Sequence, residues 1–196
     1  MGGDILAIMT VGFEEFAELA RARRTTLLMD REREVPAELV ERLCELATWA
    51  PNHKRTWPWR FAAFTGDGRA RLGEAFADDM VERRFGDEIK VAKTRTKYLR
   101  APTVLLAASA AHDHPTFRIE NRYAVAAGIE NLLLGATAAG LASFWSTPPL
   151  SDSPRALALA RFDPDDHLIG VIYLGYPTGA VETPQRPGVT VTRVTS

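Results

Sequence analysis

Arg23-Arg24-Thr25 sets two guanidiniums and a hydroxyl in consecutive positions directly after a helical stretch. Each guanidinium stays charged and can grip an oxyanion with two parallel N–H donors, so the triplet suits a phosphate monoester and the sugar-like chain behind it. By itself the triplet also describes a solvated helix end. A second candidate is the loop Ala50-Pro51-Asn52-His53-Lys54-Arg55-Thr56-Trp57-Pro58-Trp59-Arg60, which packs two tryptophans, a histidine and basic side chains around prolines. Prolines fix the backbone while indoles offer flat apolar faces with a donor edge, a combination suited to a planar heteroaromatic ligand. The third, Trp145-Ser146-Thr147, ends an apolar run just before Pro148-Pro149 and leaves backbone N–H groups and hydroxyls at a strand end. Taken alone, that is an ordinary strand exit.

Other motifs carry less. Gly66-Asp67-Gly68-Arg69-Ala70-Arg71 starts like a dinucleotide fingerprint, but the third glycine is Arg71, and a turn leading into a helix explains it. His112-Asp113-His114 has no carboxylate or cysteine companion at metal-ligand spacing and reads as a solvated turn. The chain has neither a Walker loop nor a G-x-S-x-G elbow. The lone cysteine, Cys44, excludes an internal disulfide and any thiolate-only metal site, and beside an apolar helical stripe it reads as an inert thiol. With 24 Lys+Arg against 25 Asp+Glu the formal charge is 24 − 25 = −1, so no bulk field draws in nucleic acid or an anionic membrane. Any anion must be met by a local cluster.

These residues need elements to hold them. In 196 residues, 46 % apolar and 25 % charged, there is material for one compact unit with a core. Helical spacing runs from about Gly12 to Arg23, again from Val35 to Pro51 with Leu39, Leu43 and Leu46 on one stripe, and from Arg69 to about Arg84. Trp59 to Thr65 reads as a strand. Glu82 to Arg100, with seven basic and three acidic residues, suits a solvated, mobile helix or loop. The apolar runs Thr103–Ser109 and Leu168–Leu174 predict strands covered on both faces. Glu120 to Gly140 is apolar nearly all round, about 30 Å of central helix that lies inside the molecule or in a subunit interface. Leu141–Ser146 adds a strand, Ser153 caps a short helix, and the proline-rich tail from Gly175 is extended. The order predicts an α+β fold around a small mixed sheet. The first nine residues lack a basic segment and do not read as a secretory signal, and Asn131 to Leu150 is too short and too diluted to span a bilayer, so the chain is expected in the cytoplasm.

In order and spacing, these segments resemble the flavin-dependent nitroreductase family, especially its small single-domain branch. The matching pieces are Arg23-Arg24-Thr25 against a family Arg-Arg/His-Ser, Ala50-Pro51 ending a helix, the loop to Phe61 against Gln-Pro-Trp-x-Phe, and Ala101-Pro102 before a strand. Ile129-Glu130-Asn131-Leu132-Leu133-Leu134 through Gly140-Leu141 to Trp145, and Gly175-Tyr176-Pro177 with Arg186 downstream, complete a series covering about residues 13 to 190.

The resemblance implies a mostly antiparallel sheet flanked by helices, an extension over residues 1–11 and one FMN-binding domain over 12–196. It also implies a homodimer with FMN at the interface and the long helix in that interface. NADH or NADPH would reduce the flavin, and a nitroaromatic, quinone or similar small acceptor would reoxidise it in a ping-pong cycle. The family's fold also hosts dehalogenation, enone reduction, flavin fragmentation and non-catalytic flavin binding. By carry-over, Arg23, Arg24 and Thr25 hold the phosphate and ribityl chain, and Arg186 reaches the phosphate from the tail. Trp145, Ser146 and Thr147 border the ring near N5, and Trp49 and His53 approach the flavin of the other subunit. Lys54 or Arg55 are the candidate cations for negative charge at N1 and C2=O, Arg60 is expected on a strand face, and no side-chain acid or base is assigned. Trp57 stands where the family has Gln and Leu27 where a basic residue is frequent, both removing polar contacts to the flavin's pyrimidine edge or ribityl chain, and Trp49 stands where Arg is frequent and is expected to narrow or stack over the acceptor pocket.

Overall fold

The structure is a computed structural model that describes residues 11–195, so the expected N-terminal extension falls almost wholly outside the described residues. Strands β1 (Trp59–Phe64), β2 (Thr103–Ser109), β3 (Ala142–Ser146) and β4 (His167–Gly175) form one sheet in the order β1-β2-β4-β3. Every neighbouring pair is antiparallel. This is the expected small, mostly antiparallel sheet of an α+β fold, and among the described residues its parallel element is one isolated bridge, Thr25 to Ser143, outside the named strands.

Period-two alternation sorts the strand side chains into two cores. Leu105, Ala107, Ile172 and Leu174 point to the face covered by α2 (Ala37–Ala47) and α5 (Pro115–Ala138). Val104, Leu106, Val171 and Tyr173 point to the other, where α3 (Asp67–Glu82) and α6 (Pro154–Ala160) supply Leu72, Phe76 and Leu157. α1 (Phe13–Ala22) and α4 (Glu88–Thr96) complete the helices. β2 is buried at every position, as its unbroken apolar run requires.

Helix α5 begins at Pro115, earlier than its apolar pattern suggests. His114 Nδ1 accepts from the Thr116 N–H at 3.2 Å and Pro115 takes the first helical position, so polar residues that break the pattern are still helical. Its apolar girth is mostly covered within the chain, with Val125, Ile129, Leu132 and Leu133 buried, which narrows the expectation that the helix by itself demands a second subunit. Gly128 sets how closely α5 packs. A Cβ there would stand 2.5 Å from Ala47 O and 2.7 Å from Trp59 Nε1, so only glycine admits the α2 backbone and the buried indole together. The basic stretch after α3 folds as α4 and a single 3₁₀ turn, Lys97–Arg100. Beyond Pro177 the described tail has no helix or strand, and it is tied down where the Thr178 N–H donates to Leu28 O at 3.1 Å.

Candidate functional site

Sequence neighbours Arg23, Arg24 and Thr25 leave α1 and run beside the sheet edge, where Thr25 bridges Ser143 and the Thr26 N–H donates to Ser143 O at 3.0 Å. That contact fixes the triplet against β3, two residues before Trp145. The tail returns past it: Arg24 Nη2 donates to Thr183 Oγ1 at 2.6 Å. A cavity of about 390 Å³ results, lined by Arg23, Arg24, Thr25, Glu182, Pro184 and Arg186, with Val181 at its wall. Residues more than 160 positions apart in the chain thus meet as three guanidiniums and a hydroxyl around one space. Arg23 is aimed by the central helix, with Nε 3.1 Å from Glu130 Oε1 and its side chain only 18 % exposed. Three cations against Glu130 and Glu182 leave the cavity electropositive, and their forked donors match a phosphate dianion.

At the end of β3, Trp145 lies over β4, and Gly170 makes room for its indole, since a Cβ there would overlap Trp145 Nε1. Ser146 closes the strand, and Thr147 continues onto a separate groove that it shares with Pro148, Pro149 and α4.

Trp49 and His53, like Trp145, Ser146 and Thr147, do not line the arginine cavity. Trp49, after α2, is 75 % exposed and donates from Nε1 to Glu45 Oε1 at 2.5 Å. His53 Nδ1 lies 2.7 Å from Glu120 Oε2 of α5, which makes Nδ1–H the donor and leaves Nε2 free for a ligand. The loop around it is held in an unusual shape: Lys54, Arg55 and Trp57 have φ of +58°, +52° and +52°. Left-handed backbone at non-glycine residues costs about 1–3 kcal/mol each and persists where surrounding contacts impose it. Those contacts are His53 to Glu120, Thr56 to the buried Asn121, the Trp57 N–H to Asn52 Oδ1 at 2.9 Å, and Trp59 Nε1–H to Ala124 O at 3.2 Å. The loop is pinned along one turn of α5, and Trp57 stands 60 % exposed at its tip.

Arg60 departs from the loop. Its guanidinium folds back on Trp57 O and Trp59 O and lines a separate polar groove of about 1030 Å³ with Arg118, Arg122, Asp152 and His167. Burial, reinforced by Arg122 and opposed by Asp152, holds the His167 imidazole below its ordinary value of 6.5. Burial, with Glu41 adding to it, pushes the Cys44 thiol up to about 12, so it stays protonated at neutral pH. His112 and His114 use Nδ1 as acceptors for backbone N–H groups and flank Phe117. Among the described residues no group of three or more His, Cys, Asp or Glu is placed to hold a metal, and no helix is long and apolar enough to cross a membrane.

Sequence reasoning missed Glu120, Glu130 and Thr183, the partners that aim His53, Arg23 and Arg24. No local pattern marks them, because each acts across a gap of 67 residues or more.

A family model described as the nitroreductase family matches residues 20–176. YdjA of Escherichia coli strain K12, a provisionally assigned NAD(P)H nitroreductase, is 25 % identical over 141 residues, which is 71 % of this chain and 76 % of its own length. Iodotyrosine deiodinase 1 of Mus musculus is 25 % identical over 194 residues, covering 90 % of this chain and 67 % of its own. The crystal structure of the FMN-dependent nitroreductase NfnB from Mycobacterium smegmatis in complex with NADPH shares the fold. It superposes with a TM-score of 0.71 at 20 % identity, covering 93 % of this chain and 100 % of that one.

Proposed function

The chain belongs to the nitroreductase family, and from that premise we propose that it is an FMN-dependent oxidoreductase. It takes hydride from NADH or NADPH and delivers reducing equivalents to a nitroaromatic, quinone or related small acceptor in alternating half-reactions. One observation carries the reading: Arg23, Arg24, Thr25 and Arg186, distant in sequence, line one cavity whose donors suit a phosphate monoester. The structural relative NfnB is itself described as FMN-dependent and was solved with NADPH, which supports the same pair of cofactors here.

FMN, when bound, supplies a carrier that accepts hydride and later returns two electrons, and the protein binds, orients and tunes it. In this reading Arg23, Arg24 and Arg186 hold the phosphate, and the Thr25 hydroxyl meets the ribityl chain. Trp145 backs the ring, while Ser146 and Thr147 offer backbone donors and hydroxyls at its edge. Leu27 packs partly buried in the core on the α3 side, so the polar contact frequent at that position in the family is absent. Trp49 and His53, set apart from the arginine cavity, serve the cofactor of a second chain, which makes the working unit a homodimer. Exposed Phe13, Phe16, Ile119 and Tyr123 on α1 and α5 supply apolar surface for that association.

The relationship to iodotyrosine deiodinase 1 favours a second reading, reductive dehalogenation of a haloaromatic at the same site. Titrating flavin-free protein with FMN and with riboflavin tests the common ground of both. FMN is expected to bind roughly ten- to hundredfold tighter, the worth of charge-assisted phosphate contacts. Equal affinities, or no uptake of either, would overturn the reading. Steady turnover with a nitro or quinone acceptor separates the first reading from the second.

A further inference from the structure

The groove entered by Thr147 has an unusual wall. It measures about 490 Å³ and is lined by Lys90, Lys93 and Lys97 from α4 and the turn after it, facing Thr147, Pro148 and Pro149. Spacing of three and four residues puts the lysines on one helical face. Among the described residues none of the three ammonium groups pairs with a carboxylate, whereas Arg95 of the same helix is held by Glu74 and Asp78, and Arg83 and Arg155 nearby have Asp152, Asp79 and Glu82. Asp87, the acid on the groove wall, is occupied as a helix cap, its Oδ1 accepting from the Lys90 N–H at 2.7 Å. Lys90 Nζ rests over the Phe85 ring and Lys97 Nζ lies 5.1 Å from the Tyr98 ring centre. Burial, then the repulsion of Arg100 and Lys90, brings the Lys97 ammonium down to about 8. Cationic charge is therefore gathered and unmatched by carboxylate, with Lys97 partly withdrawn from water, while Arg83, Arg95 and Arg155 nearby are matched. An unmatched charge held this way is relieved when an anion arrives.

We propose that the lysine groove is an anion-recognition subsite of the active centre, holding a carboxylate or phosphate carried by the substrate that reacts beside Thr147. The inference rests on the functional reading above, because Thr147 is what joins the groove to the cofactor site. Two sources share this chemistry: the carboxylate of an aromatic acceptor, and a phosphate of the dinucleotide donor. Lys90, Lys93 and Lys97 would grip the oxyanion at one end while Pro148 and Pro149 flank the apolar body.

The test uses FMN-loaded protein, the double variant Lys90→Gln/Lys97→Met, and Lys97→Arg as the charge-preserving control. With 4-nitrobenzoate and its neutral twin 4-nitrobenzamide, the double variant is expected to raise KM for the acid about tenfold, the share of a lost charge-assisted contact. Both kcat and the constants for the amide should stay within about twofold, and Lys97→Arg should keep the preference. If the dinucleotide phosphate is the occupant, the same loss appears with NADPH and spares 4-nitrobenzoate, with NADH showing whether the 2′-phosphate is what is read. Equal effects on charged and neutral partners, or no effect on any, overturn the proposal. Calorimetric titration of flavin-free protein with benzoate and with pyrophosphate gives a second readout. Failure to take up FMN sinks the functional reading alone, whereas absence of lysine-dependent anion binding sinks the groove.

Discussion

Arg186 is the cleanest single-residue probe of the cavity. It lies on the exposed tail and lines the arginine cavity, whereas Arg23 and Arg24 also tie α1 to Glu130 and Thr183. Arg186→Ala is expected to weaken FMN by about tenfold or more while leaving riboflavin affinity and Tm unchanged, as read by equilibrium titration and thermal melts. A parallel loss for riboflavin would mean that Arg186 shapes the fold rather than meeting the phosphate. His167 makes a separate prediction. Its imidazole titrates below the ordinary 6.5, so the folded state favours the neutral form. The stability this group contributes is in place above pH 6.5 and is lost as pH falls through the lower folded value. His167→Gln should therefore flatten the drop in Tm between about pH 7.5 and 5 relative to the parent, and an unchanged slope would contradict the assignment. At this scale the sequence was readable where chemistry is consecutive, as in Arg23-Arg24-Thr25. It was silent on Glu120 and Glu130, because an acid on a long helix is ordinary until the fold places a cation opposite it.

Elements decide how accurately those side chains are held. Apolar runs announced β2 and β4, since a strand covered on both faces leaves no room for polar residues. The start of α5 was hidden by polar residues after Pro115, where capping by His114 rather than periodicity sets the boundary. The left-handed backbone at Lys54, Arg55 and Trp57 was equally hidden: glycine advertises such positions and these residue types do not. That loop keeps its shape only because α5 lies where Gly128 allows. Gly128→Ala would press on Ala47 O and Trp59 Nε1, and overpacking of this kind costs about 1–3 kcal/mol. A Tm lower by several degrees is expected in differential scanning calorimetry, with weakened burial of Trp59 seen in its fluorescence. An unchanged melt would show that α2 and α5 can separate freely.

For the whole molecule, a formal charge of −1 conceals a strongly uneven distribution, with cations gathered at the arginine cavity and again along the lysine groove. Composition alone showed that any anion must be met locally, but not where, because Arg186 joins Arg23 and Arg24 only once the tail folds back. The candidate residues fall in three places within one chain, the arginine cavity, the end of β3 at Trp145–Thr147 and the Trp49–His53 flank. A dimer is expected to reconcile them, and light scattering should give twice the 21.6 kDa chain mass, with a monomer contradicting that arrangement. The central claim, that this chain moves hydride through FMN, is tested most directly by anaerobic stopped-flow spectroscopy of FMN-loaded protein. Mixing with NADPH or NADH should bleach the flavin absorbance, and a subsequent pulse of quinone or nitroaromatic should restore it. A flavin band that neither donor bleaches would contradict the account.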